Sequence, residues 1–98
     1  MSNDIPLALA SMMTESYQKL NQGKKKGGCF PKSEVMDLLN QPGCAFLRYY
    51  FGNDAGGNLT IVLAGVDENG DDMISKLKNM SDPCPPNCGS PNALNHES

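Results

Sequence analysis

Residues 44–66 read CAFLRYYFGNDAGGNLTIVLAGV, and this stretch predicts a β-hairpin. Its first arm, 44–51, contains four of the chain's six aromatic residues, and its second arm, 59–66, is the most apolar and β-branched run of the sequence. The residues between the arms include Gly, Asn and Asp, which readily adopt the left-handed backbone that a chain reversal needs. Turn formers also precede the stretch, as Gln41-Pro42-Gly43, and follow it at 67–70. We therefore expect the hairpin to supply most of a small antiparallel sheet.

Both faces of the first arm are mostly apolar. Alternation along a strand separates Ala45, Leu47, Tyr49 and Phe51 from Cys44, Phe46, Arg48 and Tyr50. Such a strand is expected to be covered on both faces or to lie at a subunit contact. Arg48 carries the one charge of the arm, and two interpretations stay open. It can form an ion pair or be exposed with its stem against Tyr50, or it can join Tyr49 and Tyr50 in binding an anionic or planar small molecule.

Two amphipathic helices are predicted before the hairpin. The first covers 5–21, where three- and four-residue spacing places six apolar residues on one face: Ile5, Leu9, Met12, Met13, Tyr17 and Leu20. We expect this stripe to pack into the core, with partner binding as the alternative. The second helix covers 31–40, begins with a proline suited to a first turn, and ends because Pro42 disfavours helical geometry at Gln41. It is expected to pack across the sheet.

A run of three lysines, Lys24 to Lys26, lies between glycines after the first helix. Gly23 and Gly28 have the separation of the two glycines in a P-loop, but Cys-Phe follows Gly28 where that motif requires Lys and then Ser or Thr. The run is therefore interpreted as a solvated loop, with a weak anion contact as the alternative.

The acidic segment 67–72 has the spacing of a calcium loop only at its start. Asp67, Asn69 and Asp71 fit positions one, three and five of an EF-hand loop, but Lys78 stands where that loop requires glutamate. Asn69-Gly70 instead predicts a tight turn. The apolar residues that follow, within 73–80, predict one or two turns of helix, with a short third strand as the alternative.

The proline-rich segment 81–98 predicts a tail outside a single domain of 1–80. Cys84 and Cys88 are its most specific feature, and a disulfide, a zinc site or neither stays open. A zinc site lacks a second close cysteine pair, because Cys29 and Cys44 are far apart in sequence. A redox dithiol lacks the usual Cys-x-x-Cys spacing.

Composition and charge restrict the function. The 98 residues suffice for one domain, and eight basic against eleven acidic side chains give a net charge of −3, which disfavours binding to nucleic acid or to an anionic membrane. The N-terminus shows no signal peptide, so a cytoplasmic location with reduced thiols is expected. The one histidine, His96, lies in the tail, and no catalytic motif accompanies it. We expect neither an enzyme nor a cofactor, apart from the zinc considered above.

Five segments of the chain together resemble a group of small uncharacterised bacterial proteins of Bacteroidetes-type genomes. They are LLNQPGC at 38–44, LRYYFG at 47–52, LTIVLAGVD at 59–67, CPPNC at 84–88 and PNALN at 91–95. The resemblance extends over residues 34–95. It implies a bacterial origin and a tail that recurs in the group, and it implies no particular activity.

These observations predict an α+β fold in which two N-terminal helices pack on a small antiparallel sheet centred on the hairpin 44–66. Two or three strands leave exposed edges, so a homodimer that pairs sheets or helices is the expected assembly. The first functional hypothesis is a non-enzymatic protein-interaction or self-assembling module that uses the aromatic strand and the tail. The second is a small-ligand binder that uses Arg48, Tyr49 and Tyr50. The third is a thiol or zinc protein built on Cys84 and Cys88.

Overall fold

The computed structural model describes residues 2–96 and confirms a mixed α+β fold. In chain order the elements are α1 (Leu7–Leu20), β1 (Gly27–Cys29), α2 (Lys32–Leu39), β2 (Cys44–Asn53), β3 (Leu59–Asp67), β4 (Asp72–Asn79) and β5 (Asp82–Cys84). The strands form two antiparallel sheets, one in the order β2-β3-β4 and one that pairs β1 with β5. We refer to α2 and the three-stranded sheet as the sheet region, and to residues 7–29 and 82–96, which include α1, β1 and β5, as the outer region.

The predicted hairpin is confirmed. Strands β2 and β3 pair antiparallel from Cys44 opposite Asp67 to Asn53 opposite Leu59, with one irregularity near the start of β2. The reversal between the two strands uses Asp54 and a glycine, as the sequence predicts. Asp54 Oδ1 accepts hydrogen bonds from two loop amides, and Gly57 has a φ of 79°.

The segment that was predicted to be helical at 73–80 is instead the third strand, β4, so the helical prediction is wrong and its alternative holds. Asp67 Oδ1 accepts hydrogen bonds from the backbone N–H groups of Asn69 and Asp71, and this turn returns the chain along β3. A bulge explains why the spacing of the apolar residues within 73–80 resembles that of a helix. Gly65 lies opposite Met73 while the preceding Ala64 lies opposite Leu77, so residues 74–76 interrupt the alternation that a regular strand would show.

Helix α2 packs on one face of the three-stranded sheet, as predicted. Its Leu38 is fully buried, and Lys78 of β4 forms an ion pair with Asp37 of α2 at 2.8 Å. Gly65 of β3 lies under the end of α2, where an added Cβ would come within 2.8 Å of Gln41 Nε2. Since Lys78 lies opposite Leu63, two residues from Gly65, all these contacts are on the same sheet face.

Helix α1 does not bury the apolar stripe that the sequence predicts for the core. Met12 and Leu20 are 68% and 82% exposed, and among the fourteen residues of α1 the buried one is the polar Gln18. The expectation of core packing is therefore wrong for this helix. Two of its polar side chains contact the C-terminal segment instead, because Gln18 and Thr14 hydrogen-bond to residues 94–96.

Among residues 2–96, no helix combines the length and the hydropathy that crossing a membrane requires.

Candidate functional site

Strand β2 forms an edge of the three-stranded sheet. Within the described part of the chain it pairs with β3 along one side only, and it is ten residues long. Proteins commonly blunt such an edge with lysine, proline or a very short strand. The sequence of β2, CAFLRYYFGN, contains neither lysine nor proline. From Phe46 to Asn53, beyond the irregularity at its start, its outer side is therefore a regular row of backbone groups.

The hydrogen bonds around the hairpin identify which backbone groups of β2 face outward. The N–H of Asp54 donates to the carbonyl of Asn58 at 2.9 Å, and bonded pairs recur at every second position of an antiparallel ladder. Residues at even positions of β2, such as Arg48 and Tyr50, are thus bonded to β3. The odd positions between them are not bonded to β3. Their N–H and C=O groups therefore face the open edge, and these residues are Leu47, Tyr49 and Phe51.

A second hydrogen bond supports this assignment. Ile61 of β3 lies opposite Phe51, and its carbonyl accepts from Met80 N at 3.0 Å, on the opposite side of β3 from β2. In an antiparallel sheet, a residue of a central strand that hydrogen-bonds to one neighbouring strand has no backbone groups left for the strand on its other side. Phe51 is therefore not bonded to Ile61, in agreement with an outward orientation of its backbone groups.

The side chains on both faces of β2 are exposed. Phe46 is 60% exposed, Tyr49 is 63% exposed and Phe51 is 71% exposed. The rings of Tyr49 and Phe51 lie edge to face, with 5.7 Å between their centroids. We call the outward backbone groups and these apolar side chains the β2 edge surface, which comprises Phe46, Leu47, Tyr49, Tyr50 and Phe51. The expectation that the strand is covered on both faces is not met within the chain.

Arg48, the one charge of β2, is neutralised within the chain. Its Nη1 donates to Asp72 Oδ1 at 2.8 Å and to the carbonyl of Gly70 at 3.3 Å, while the hydroxyl of Tyr50 donates to Asp72 Oδ2. The Tyr50 hydroxyl, and then the Arg48 guanidinium, hold the pKa of Asp72 below its usual range. The ion-pair interpretation of Arg48 therefore applies.

The structure divides the three residues of the small-ligand hypothesis between two faces. Arg48 and Tyr50 share Asp72 on one face of β2. Tyr49 lies at an alternate position, on the other face, beside Phe51. A single small molecule would have to pass around the strand edge to contact all three.

The cysteines of the tail form a disulfide between Cys84 and Cys88, and Cys29 and Cys44 are free thiols. Within residues 2–96, no group of three or more His, Cys, Asp or Glu side chains has an arrangement that could hold a metal ion. Cys29 and the disulfide line a cavity of about 480 Å³ in the outer region, together with Gln18 and Lys26.

The lysine run has a role that the sequence reasoning missed. Lys25 Nζ donates to the carbonyl of Pro85 at 2.7 Å, and Lys26 Nζ donates to Asn95 Oδ1 at 3.0 Å and to the carbonyl of His96 at 2.6 Å. The interpretation as a solvated loop is wrong for these two residues. Their partners lie about sixty to seventy positions away in sequence, so no local pattern could reveal them.

No model of a protein family matches this chain, and no curated protein or solved structure matches it either. The contacts and the surface of this chain are therefore the basis for inferring its function.

Proposed function

We propose that this protein is a non-enzymatic protein-interaction module that binds an extended strand of its partner along β2. The observation that carries the proposal is the open ten-residue edge of β2 with exposed aromatic side chains on both faces. Strand addition to such an edge obtains affinity from main-chain hydrogen bonds and specificity from alternate side chains.

The charge distribution of β2 supports this function. Because Arg48 is paired with Asp72, the strand presents no unpaired charge whose desolvation would oppose association. Aromatic side chains contribute large contact areas at interfaces, and Tyr and Phe are enriched at interface cores. An anion site at Arg48 receives less support, since its guanidinium already donates to Asp72 and to the carbonyl of Gly70.

The proposal can be tested with a synthetic peptide of the β2 sequence, residues 44–53, in which serine replaces the cysteine. We expect titration of the isotopically labelled protein to shift the amide resonances of Leu47, Tyr49 and Phe51 more than those of Arg48 and Tyr50. The reason is that only the first three direct their N–H groups to the open edge.

A substitution at Tyr49 makes this test specific. Tyr49→Pro removes one outward N–H and no β2–β3 hydrogen bond, and proline is tolerated where a strand's N–H faces solvent. Peptide affinity should fall by at least about tenfold, because a main-chain hydrogen bond is lost and the ring obstructs the adjacent strand. Tyr49→Thr, which keeps the N–H and suits a strand, is the matched control for the lost side chain. Equal binding by the two variants would contradict strand addition.

A further inference from the structure

We infer that the strand that occupies the β2 edge surface is β2 of a second copy of this chain, paired antiparallel about a two-fold axis at Tyr49. The inference rests on the proposed function and names its partner. It follows from the hydrogen-bonding positions, the charge and the residue sizes along β2.

The hydrogen bonds restrict the register. In a two-fold antiparallel pair, the residues whose N–H and C=O groups face outward must lie opposite each other in bonded pairs. Leu47, Tyr49 and Phe51 are those residues. Registers centred on Arg48, on Tyr49 or on Tyr50 satisfy this condition, whereas a register centred between two residues does not.

The charge of β2 disfavours the first of these registers. Centring on Arg48 would place two guanidinium groups directly opposite each other in an unbonded pair, with Cα atoms about 4.5 Å apart. Like charges in that position destabilise a sheet. Although Asp72 balances each Arg48, both guanidinium groups would need the same space.

The position of Phe46 disfavours the register centred on Tyr50. Because β2 ends at Asn53, that register would pair residues 47–53 and would place Phe46 beyond the end of the partner strand. The register centred on Tyr49 pairs residues 46–52 of both copies, and the irregularity between Cys44 and Phe46 lies outside it. It therefore includes Phe46 in the pairing.

The register centred on Tyr49 also gives complementary side-chain pairs. Arg48 lies opposite Tyr50 of the second copy, so that its guanidinium can contact an aromatic face. Phe46 lies opposite Gly52, where the absence of a side chain gives room for the ring. Leu47 lies opposite Phe51, an apolar cross-strand pair of the kind that stabilises sheets.

The other edge of the sheet explains why assembly would stop at two copies. In strand β4 a bulge at residues 74–76 interrupts the pairing, because Met73 and Leu77 lie opposite consecutive residues of β3. Bulges are among the features with which proteins protect an edge from further pairing. The two-fold pairing of β2 would thus give a closed six-stranded sheet with a β4 strand at each end.

Cysteine cross-linking tests the register. The background variant carries Cys29→Ser and Cys44→Ser and keeps the disulfide between Cys84 and Cys88. Arg48→Cys, Tyr49→Cys or Tyr50→Cys is then added singly, and mild oxidation is followed by mass spectrometry of the intact chains. In a bonded antiparallel pair, Cα atoms are about 5.5 Å apart, which lies within the range of about 4.4–6.8 Å that a disulfide spans.

We expect Tyr49→Cys to give the covalent dimer with a yield several times that of the other two variants. Predominant cross-linking of Arg48→Cys or Tyr50→Cys would overturn the register. A non-covalent dimer of the background variant that none of the three positions cross-links would show that the copies associate elsewhere, and this would overturn the inference.

Sedimentation of the natural sequence provides a measurement that does not depend on any cysteine variant. We expect a dimer at micromolar concentration, a monomer for Tyr49→Pro and a dimer for Tyr49→Thr. A monomer of the natural sequence would overturn the inference. The proposed function would still stand if the peptide titration located binding at Leu47, Tyr49 and Phe51, so the two failures are distinguishable.

Discussion

The two regions of the molecule are held together in different ways. The sheet region contains the buried apolar residues, which are Leu38 of α2 and Leu63, Ala64 and Val66 of β3. The outer region has Gln18 as its buried residue in α1. Its contacts are the β1–β5 pairing, the Cys84–Cys88 disulfide and hydrogen bonds from Gln18, Lys25 and Lys26 to the C-terminal segment.

This difference matters for stability. Apolar burial contributes free energy in proportion to the area removed from water, whereas a hydrogen bond contributes only about 0.5–1.5 kcal/mol net, because the unfolded chain bonds to water instead. A region with few buried apolar contacts opens locally at lower free energy than the core does. We therefore expect the outer region to open while the sheet region stays folded.

The largest expected effect is in the core of the sheet region. Leu38→Ala removes a fully buried side chain and should lower the free energy of unfolding by about 2–5 kcal/mol, because burial is lost and a cavity remains. Leu39→Ala, at the neighbouring, partly exposed position, is the matched control and should cost less. Urea denaturation measures both. Equal losses would show that α2 is not held by the core contact of Leu38.

The next effect concerns the close approach of α2 to the sheet. Gly65→Ala would place a Cβ within 2.8 Å of Gln41 Nε2 and 3.0 Å of Cys44 Sγ. We expect a loss of about 1–3 kcal/mol from overpacking, measured by denaturation. Gly27→Ala, in strand β1, is the control, since its Cβ would meet no atom within 4 Å. If Gly65→Ala were no less stable than Gly27→Ala, the close packing of α2 on this face would be incorrect.

A smaller and more local effect is expected in the outer region. Gln18→Ala removes the hydrogen bonds to the Leu94 carbonyl and from the His96 amide, and should cost about 1 kcal/mol. Faster amide hydrogen exchange should appear in residues 92–96, with the exchange of β3 unchanged. Gln22→Ala, in the turn after α1, is the control. Faster exchange throughout β3 would show that the two regions unfold together and would remove the contrast between them.

The smallest effect is a change of pKa at the surface of the sheet region. Tyr50→Phe removes the hydroxyl that donates to Asp72, so the pKa of Asp72 should rise toward its usual value. Carboxyl resonances followed against pH measure the change. In the natural sequence the pKa of Asp72 is lowered on folding. Its contribution to stability is therefore present above the ordinary pKa of aspartate and is lost as the pH falls through the lowered value.

Asp37 is the internal control for that titration. Hydrogen bonds from Lys78, and then from Lys76, lower its pKa, and neither lysine contacts Tyr50. The pKa of Asp37 should therefore be the same in the Tyr50→Phe variant as in the natural sequence. Conversely, Lys78→Gln should raise the pKa of Asp37 and leave that of Asp72 unchanged. A change of both pKa values in either variant would indicate a rearrangement of the sheet rather than the loss of one contact.

Much of the sheet region could be predicted from sequence, because its determinants are local. The turn at Asp54 and Gly57, the alternation of β2 and the proline that ends α2 act over a few residues each. The wrong helical prediction for the segment that forms β4 has a local cause as well. The bulge at 74–76 gives its apolar residues a spacing near that of a helix, and only pairing with β3 determines that they form a strand.

The candidate site was predicted only in part. The sequence identified the aromatic residues of β2 and an ion-pair interpretation for Arg48, but not that Asp72 would be its partner and would also accept from the hydroxyl of Tyr50. Nor could it show that Leu47, Tyr49 and Phe51 direct their backbone groups to an open edge. That property depends on which strands lie beside β2, and hence on the topology of the whole sheet.

The sequence by itself determined the hairpin, the two helices and the nature of the side chains on β2, because backbone propensity and residue spacing act locally. The tertiary structure decided which of these surfaces are buried. It left the apolar stripe of α1 exposed, joined Lys25 and Lys26 to the C-terminal segment, and placed β2 at an edge. An amphipathic pattern shows that a surface can be buried, but the partner that covers it comes from contacts between residues far apart in the chain.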